Sequence, residues 1–204
     1  MAIMPVSPEH IHQVATQHRQ IMPGLLSILG TNVTRAVYDG YAKNGAMVGF
    51  VYLEDDHVAR FVIGSATPRR LRRDALSRNG WRIALDVAAS VALHPRRIGA
   101  LIDGMRGPTG GSVDDDDDAE LTYIGVSPRT RRGRVGTQLV DAFNDAMRDA
   151  GVDAYQLSVD GTNESAVGFY RARGFRQIGE YLQFGALNIR YELVLDTSPS
   201  PRVH

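Results

Sequence analysis

The chain has no cysteine among its 204 residues. Disulfides, thiolate metal sites and a cysteine nucleophile are therefore excluded. Lysine is nearly absent as well: Lys43 is the only one, and the rest of the basic charge is arginine. A nucleotide-hydrolase phosphate loop needs a glycine turn closing on Lys-Ser/Thr, and no such run surrounds Lys43. A Gly-x-Gly-x-x-Gly turn opening the first helix of a βαβ unit is also missing. Net charge is zero, so nothing global calls for nucleic acid, and no nucleic-acid partner is expected. No window approaches the ~18 continuous apolar residues of a membrane span. The N-terminal MAIMPVSPEHIHQV lacks a basic region followed by an apolar run. A soluble, cytoplasmic protein is the expectation.

With 43% hydrophobic residues, the chain can bury a substantial core in one domain, here placed at residues 1–195. Ser7, Pro8 and Glu9 read as an N-cap, a first-turn proline and a first-turn acid. The spacing predicts a helix from Pro8 to His18 with Ile11, Val14 and Ala15 inward, interrupted at Pro23 and Gly24. Thr31 is the expected cap of a further helix through Val33, Val37 and Tyr41. His10, His12 and His18 lack acidic or thiolate partners at ligand spacing, so no metal site is expected. Residues 46–53 and 58–65 read as a hairpin around a polar turn.

Residues 68–106 differ in character. Apolar positions recur at helical spacings, and Gly80 and Pro95 are expected to divide the segment into two or three helices. Nine arginines face Asp74, Asp86 and Asp103 there, a net of about +6. A Gly/Pro/Ser linker and five consecutive aspartates, Asp114 to Asp118, follow. Two readings stay open for the basic face. It is a solvated surface, or it holds an anionic acceptor or touches an anionic membrane surface. The tail, 196–204, reads as frayed.

The most informative stretch is AELTYIGVSPRTRRGRVGTQL, residues 119–139. Leu121, Tyr123, Ile124 and Val126 are strand-forming, and Pro128 stops the ladder. Arg129, Arg131, Arg132 and Arg134 interleave with Gly133 and Gly136. From Val135 the apolar residues Leu139, Val140, Phe143 and Met147 return at helical spacing. A strand feeding a glycine turn and a helix start, flanked by arginines, is a phosphate-binding arrangement. Gly151 then caps the helix, 154–159 forms a strand, Asn163 caps another helix, and two strands at 175–184 and 186–195 close the chain.

Two blocks, 119–140 and LSVDGTNESAVGFYRARGF at 157–175, together resemble the GCN5-related N-acetyltransferase (GNAT) superfamily. The resemblance implies an α/β fold: a strongly twisted mixed sheet splayed between strands 4 and 5, with flanking helices. The resemblance does not cover 68–118, which is expected to be an extra helical insertion at about 68–106 followed by an acidic flexible loop at about 107–118. It implies acetyl-CoA as cosubstrate, lying in the splay against Ile124 and Val126. Its pyrophosphate is expected on the N–H groups of Arg132, Gly133, Arg134, Val135 and Gly136, with Arg131, Thr137, Asn163, Ala166 and Tyr170 completing the cofactor contacts. Amides at a helix start donate to an anion, and the helix dipole adds to the attraction. One departure stands out: Arg134 occupies the place of the family's first loop glycine, where close backbone approach is at stake.

The resemblance also implies the chemistry. An amine must lose a proton before it attacks the thioester, and Glu120 matches the base of the histone-type members. Water is the alternative base. The Val126 N–H matches the donor to the tetrahedral oxyanion, and Tyr170 matches the acid that protonates the departing thiolate. A strand places 120, 122, 124 and 126 on one face, so Glu120 is expected to address the cofactor cleft. The acceptor is expected to be a small, possibly anionic, primary amine. A protein or peptide amine, or a non-catalytic acyl-CoA-binding role, remains as alternative. The oligomeric state is expected to be monomer or homodimer.

Overall fold

The computed structural model of the chain describes residues 2–22, 24–43, 45–105, 118–125, 134–183 and 185–195. The linker at 106–112, Asp114 to Asp117, the loop residues Val126 to Gly133 and the tail from 196 lie outside them.

Among the described residues, seven strands form one sheet: β1 (Ala2–Pro5), β2 (Met47–Glu54), β3 (His57–Ser65), β4 (Glu120–Gly125), β5 (Ala154–Asp160), β6 (Arg176–Gln183) and β7 (Ala186–Val194). Their order is β1-β2-β3-β4-β5-β7-β6, with β4 and β5 parallel and every other neighbouring pair antiparallel. The hairpin between β2 and β3 turns on Asp55 and Asp56, both at positive φ (51° and 61°). Aspartate tolerates that left-handed region better than most side chains.

Among the described residues, seven α-helices flank the sheet: α1 (Ile11–Ile21), α2 (Leu25–Leu29), α3 (Thr31–Ala42), α4 (Pro68–Leu93), α5 (Arg97–Met105), α6 (Val135–Asp149) and α7 (Glu164–Ala172). Two expectations are corrected. Gly80 does not divide the basic segment, because α4 runs unbroken through it for 26 residues. A single interior glycine costs a helix only about 1 kcal/mol, and flanking turns carry it. The residue before α3 is Gly30, at φ 104°, with Thr31 already helical. Thr34, not Thr31, ties that start down, its hydroxyl donating to the Leu26 and Gly30 carbonyls.

The core divides by sheet face. One cluster joins Leu139, Val140, Phe143 and Met147 of α6 to Leu121, Tyr155, Leu157 and Tyr191. The other joins Ile11, Val14 and Ala15 of α1 to Tyr38, Phe61, Ile63, Leu71 and Ala75. Within that second cluster His18 is buried, its Nδ1 2.8 Å from the Tyr38 hydroxyl, and desolvation lowers its pKa to about 4.

The feature that shapes the site is a bulge in β4. Ile63 pairs with Tyr123 but its neighbour Gly64 pairs with Leu121, leaving Thr122 extra. A bulge bends its strand and resets the alternation of side chains. Leu121 and Ile124 therefore pack on the α6 face, while Tyr123 packs on the α1 face. Beyond the bulge β4 leaves β5: Glu120 with Gln156 is the one ladder pair between them among the described residues. The sheet is splayed there.

Candidate active site

A cleft of about 540 Å³ lies where β4 and β5 part. That volume is ordinary for a small-molecule site. Its walls include Leu121, Thr122 and Ile124 of β4; Leu157 to Asp160 of β5; Gly136 and Thr137 of α6; and Asn163, Ala166, Phe169 and Tyr170 around α7.

The start of α6 supplies the polar end. Its first helical hydrogen bond runs from the Gln138 N–H to the Arg134 carbonyl, 2.9 Å. The amides of Val135, Gly136 and Thr137 precede it and have no carbonyl of their own helix to bond. Gly136 and Thr137 bring this positive helix end to the cleft wall. Val135 itself is buried in the α6 core, so its contribution to an anion is its amide. Arg134 sits at φ −63°, ψ 13°, a conformation open to any L-residue. The side chain in place of a glycine thus brings no backbone strain.

Tyr170 comes from the middle of α7. It is 5% exposed, with its ring held edge-on by Phe169 and Phe175, and burial holds its phenol well above the usual tyrosine range. Asn163 opens the same helix: its side chain accepts the Ala166 N–H at 3.2 Å while it also lines the cleft. Of the expected cofactor residues, Ile124, Gly136, Thr137, Asn163, Ala166 and Tyr170 are therefore brought together. Val126, Arg131, Arg132 and Gly133 lie outside the described residues.

Glu120 stands elsewhere. The bulge puts it on the face of Tyr123, away from Ile124, which corrects the expected common face of 120, 122 and 124. Its carboxylate lies 3.3 Å from the Arg72 guanidinium of α4. Tyr41 and Tyr123 complete this second polar group. Burial pushes the Tyr41 phenol up to about 12, an effect that Arg72 opposes and Glu120 reinforces. Burial likewise pushes the Tyr123 phenol far up, helped by Tyr41 and Glu120.

Two lining elements escaped the sequence reading. Ile21 and Met22, at the end of α1, close one side of the cleft, and Asn188 of β7 another. The helix stop at Pro23-Gly24 was a signal for the first. Asn188 is brought in by its register opposite Asp160, which no local pattern marks. Ile21 and Met22 also border a second, open hollow of about 520 Å³, lined by Arg19, Gln20, Ser27 and Ile28.

Comparison with known proteins agrees with this geometry. Residues 30–175 match the model of the acetyltransferase (GNAT) family. A mycothiol acetyltransferase from Beutenbergia cavernae is 33% identical over 66 residues, which is 32% of this chain and 22% of that protein's length. An N-acetyltransferase from Staphylococcus aureus superposes with a TM-score of 0.62 at 15% identity, covering 95% of this chain and 100% of the other. An Arabidopsis thaliana protein solved in complex with acetyl-CoA gives 0.59 at 13% identity, covering 96% and 98%.

Proposed function

Because the chain belongs to the acetyltransferase (GNAT) family, an acyl-CoA-dependent group of transferases, we propose that it acetylates the primary amine of a small, anionic acceptor by direct attack in a ternary complex. The observation that carries this reading is the parting of β4 and β5 beside the first-turn amides of α6, with Tyr170 facing the same cleft. The residues present suit acetyl-CoA. Among the described residues, the facing edges of β4 and β5 beyond Glu120 and Gln156 share no ladder pair and offer backbone groups to an amide-bearing arm, and the helix start offers donors and a dipole to a pyrophosphate.

When bound, acetyl-CoA supplies an activated acetyl thioester. The chain does the rest. Gly136 and Thr137 hold the phosphate end, and Ile124 and Leu157 flank the extended arm. Glu120 takes the amine's proton through water, since its carboxylate faces away from the cleft. Tyr170, kept protonated by burial, gives its proton to the sulfur as the carbon–sulfur bond breaks, and recovers one from solvent. Val126 remains the proposed donor to the carbonyl oxygen.

The anionic character of the acceptor rests on Arg72, which carries the basic end of α4 to the first residue of β4. A free-thiol release screen against amino sugars, polyamines, amino acids and peptides tests the reading. Neutralising Arg69, Arg70, Arg72 and Arg73 together is expected to raise the acceptor KM and leave the acetyl-CoA KM unchanged. An unchanged acceptor KM removes the anionic acceptor, and release only with peptides favours a protein amine.

A further inference from the structure

The helix α4 is anchored along one side. Leu71, Ala75 and Asn79 are buried, the Asn79 side chain donates to the Ala36 carbonyl at 2.8 Å, and Ser90 donates to the Leu29 carbonyl. Arg82 lies 3.7 Å from Asp39 on the same flank. The opposite side carries Trp81, Ala84, Leu85, Ala88, Ala89 and Ala92, at spacing i, i+3, i+4, i+7, i+8, i+11, and every one is exposed. That spacing is a continuous apolar stripe on one helix face. Trp81 is 69% exposed and Leu85 60%, with Leu93 and Ile98 exposed just beyond. An exposed apolar patch of this extent marks an interaction surface.

We propose that this stripe is the two-fold interface through which a second copy of the chain packs, α4 antiparallel to α4. Its two large residues lie in its N-terminal half, and three of its four alanines lie in its C-terminal half. An antiparallel two-fold therefore lays Trp81 and Leu85 of each copy over Ala88, Ala89 and Ala92 of the other, twice by symmetry. A parallel pair would set tryptophan against tryptophan and leave the alanines facing a gap. The stripe is uncharged, and the nearest charges of the same stretch, Arg82 and Asp86, turn to the anchored side, so nothing in the contact is left as a buried ion. At 150–250 Å² for a fully buried aromatic side chain and less for leucine or alanine, the exposed apolar side chains from 81 to 98 offer on the order of 700 Å². That is close to the ~800 Å² per partner of a stable interface. A lipid surface fits less well. Four of the six positions are alanine, which brings little apolar area to a bilayer yet lets two helices approach closely.

The chain's composition makes the test direct. Trp81 is its single tryptophan, and it has no cysteine. At a chain concentration on the order of 50 µM, sedimentation velocity is expected to give twice the 22.4 kDa chain mass. Dilution should return it to the monomer with a red shift of the Trp81 emission. Trp81→Glu should sediment as a monomer with unchanged circular dichroism. Leu85→Cys lies near the proposed axis and should oxidise to a disulfide-linked dimer. Ala92→Cys, on the order of 16 Å from its own copy at 1.5 Å per residue, should not. A monomer at all concentrations overturns the proposal, as does equal cross-linking of Leu85→Cys and Ala92→Cys. Flotation of a monomer on anionic phosphatidylserine vesicles, lost in Trp81→Glu, overturns it in favour of a membrane.

Discussion

The Arg72 guanidinium and the Glu120 carboxylate meet at 3.3 Å, joining α4 to the first residue of β4. Arg72 is about half exposed and Glu120 about a third, so solvent screens the pair and its direct stability contribution is small. Its consequence is positional, because Glu120 is the residue at which β4 still pairs with β5. Glu120→Gln is expected to lower kcat/KM at neutral pH about 10²-fold, as loss of a general base does. The melting temperature should hardly change. Unaltered kcat/KM across pH 6–9 would assign proton removal to solvent alone.

Tyr170→Phe keeps the ring that Phe169 and Phe175 hold and removes only the hydroxyl. Acetyl-CoA affinity by calorimetry should be retained while kcat falls about 10²-fold or more. Burial raises the folded phenol above its ordinary value of about 10. The wild type should therefore show no loss of activity from Tyr170 ionisation below that pH. A Tyr170→Phe enzyme with full kcat would remove it from the chemistry.

Gly64 faces the bulge so closely that a Cβ would collide with the Glu120 carbonyl oxygen and come within 2.6 Å of the Phe143 ring. Both neighbours are fixed, one in a strand and one in the core. Gly64→Ala is expected to cost about 1–3 kcal/mol, typical of overpacking. It should also weaken acetyl-CoA binding by moving Leu121 and Thr122. Guanidinium denaturation and calorimetry on the same variant test both effects; an unaffected midpoint would show that β4 yields freely.

His18 makes stability pH-dependent. Its folded pKa is lowered to about 4 from 6.5, so the unfolded chain gains a proton first as pH falls. Stability from this group is complete above pH 6.5 and declines between 6.5 and 4, by about 3 kcal/mol in all. Unfolding free energies at pH 7 and pH 4.5, for the wild type and His18→Gln, should show a steeper decline in the wild type. Equal slopes would assign acid sensitivity to other groups.

A Cβ at Gly80 meets nothing within 4 Å. Gly80→Ala should therefore stabilise α4 by about 0.5–1 kcal/mol, the difference in backbone entropy. A lowered denaturation midpoint would contradict the unbroken helix.

The parts of this molecule that were legible in its sequence are those fixed by local pattern. The apolar spacing of Leu139, Phe143 and Met147 marks α6, Gly151 marks its end at φ 74°, and Asn163 caps α7 as its position implies. β1 escaped because four residues ending in proline carry no periodic signal, and their strand exists only by pairing with β2. The unbroken α4 escaped because a single glycine weakens a helix without ending it. The bulge at Thr122 escaped for a deeper reason. Alternation along β4 is a property of the strand alone, whereas the extra residue is defined by where Gly64 allows Leu121 to sit. That one non-local contact turned Glu120 away from Ile124.

Glu120 with Gln156, the single β4–β5 ladder pair among the described residues, also decides how load crosses the molecule. Strands β1 to β4 are laced to one another by backbone bonds, as are β5, β7 and β6, but among the described residues the two half-sheets share almost none. What splices them is α6, whose Phe143 rests edge-on against Tyr155 and whose Asn144 receives the Tyr155 hydroxyl at 2.7 Å. Side-chain packing is softer than a ladder. Tension applied between the N-terminal and C-terminal strands should therefore part the seam first, with each half-sheet still intact.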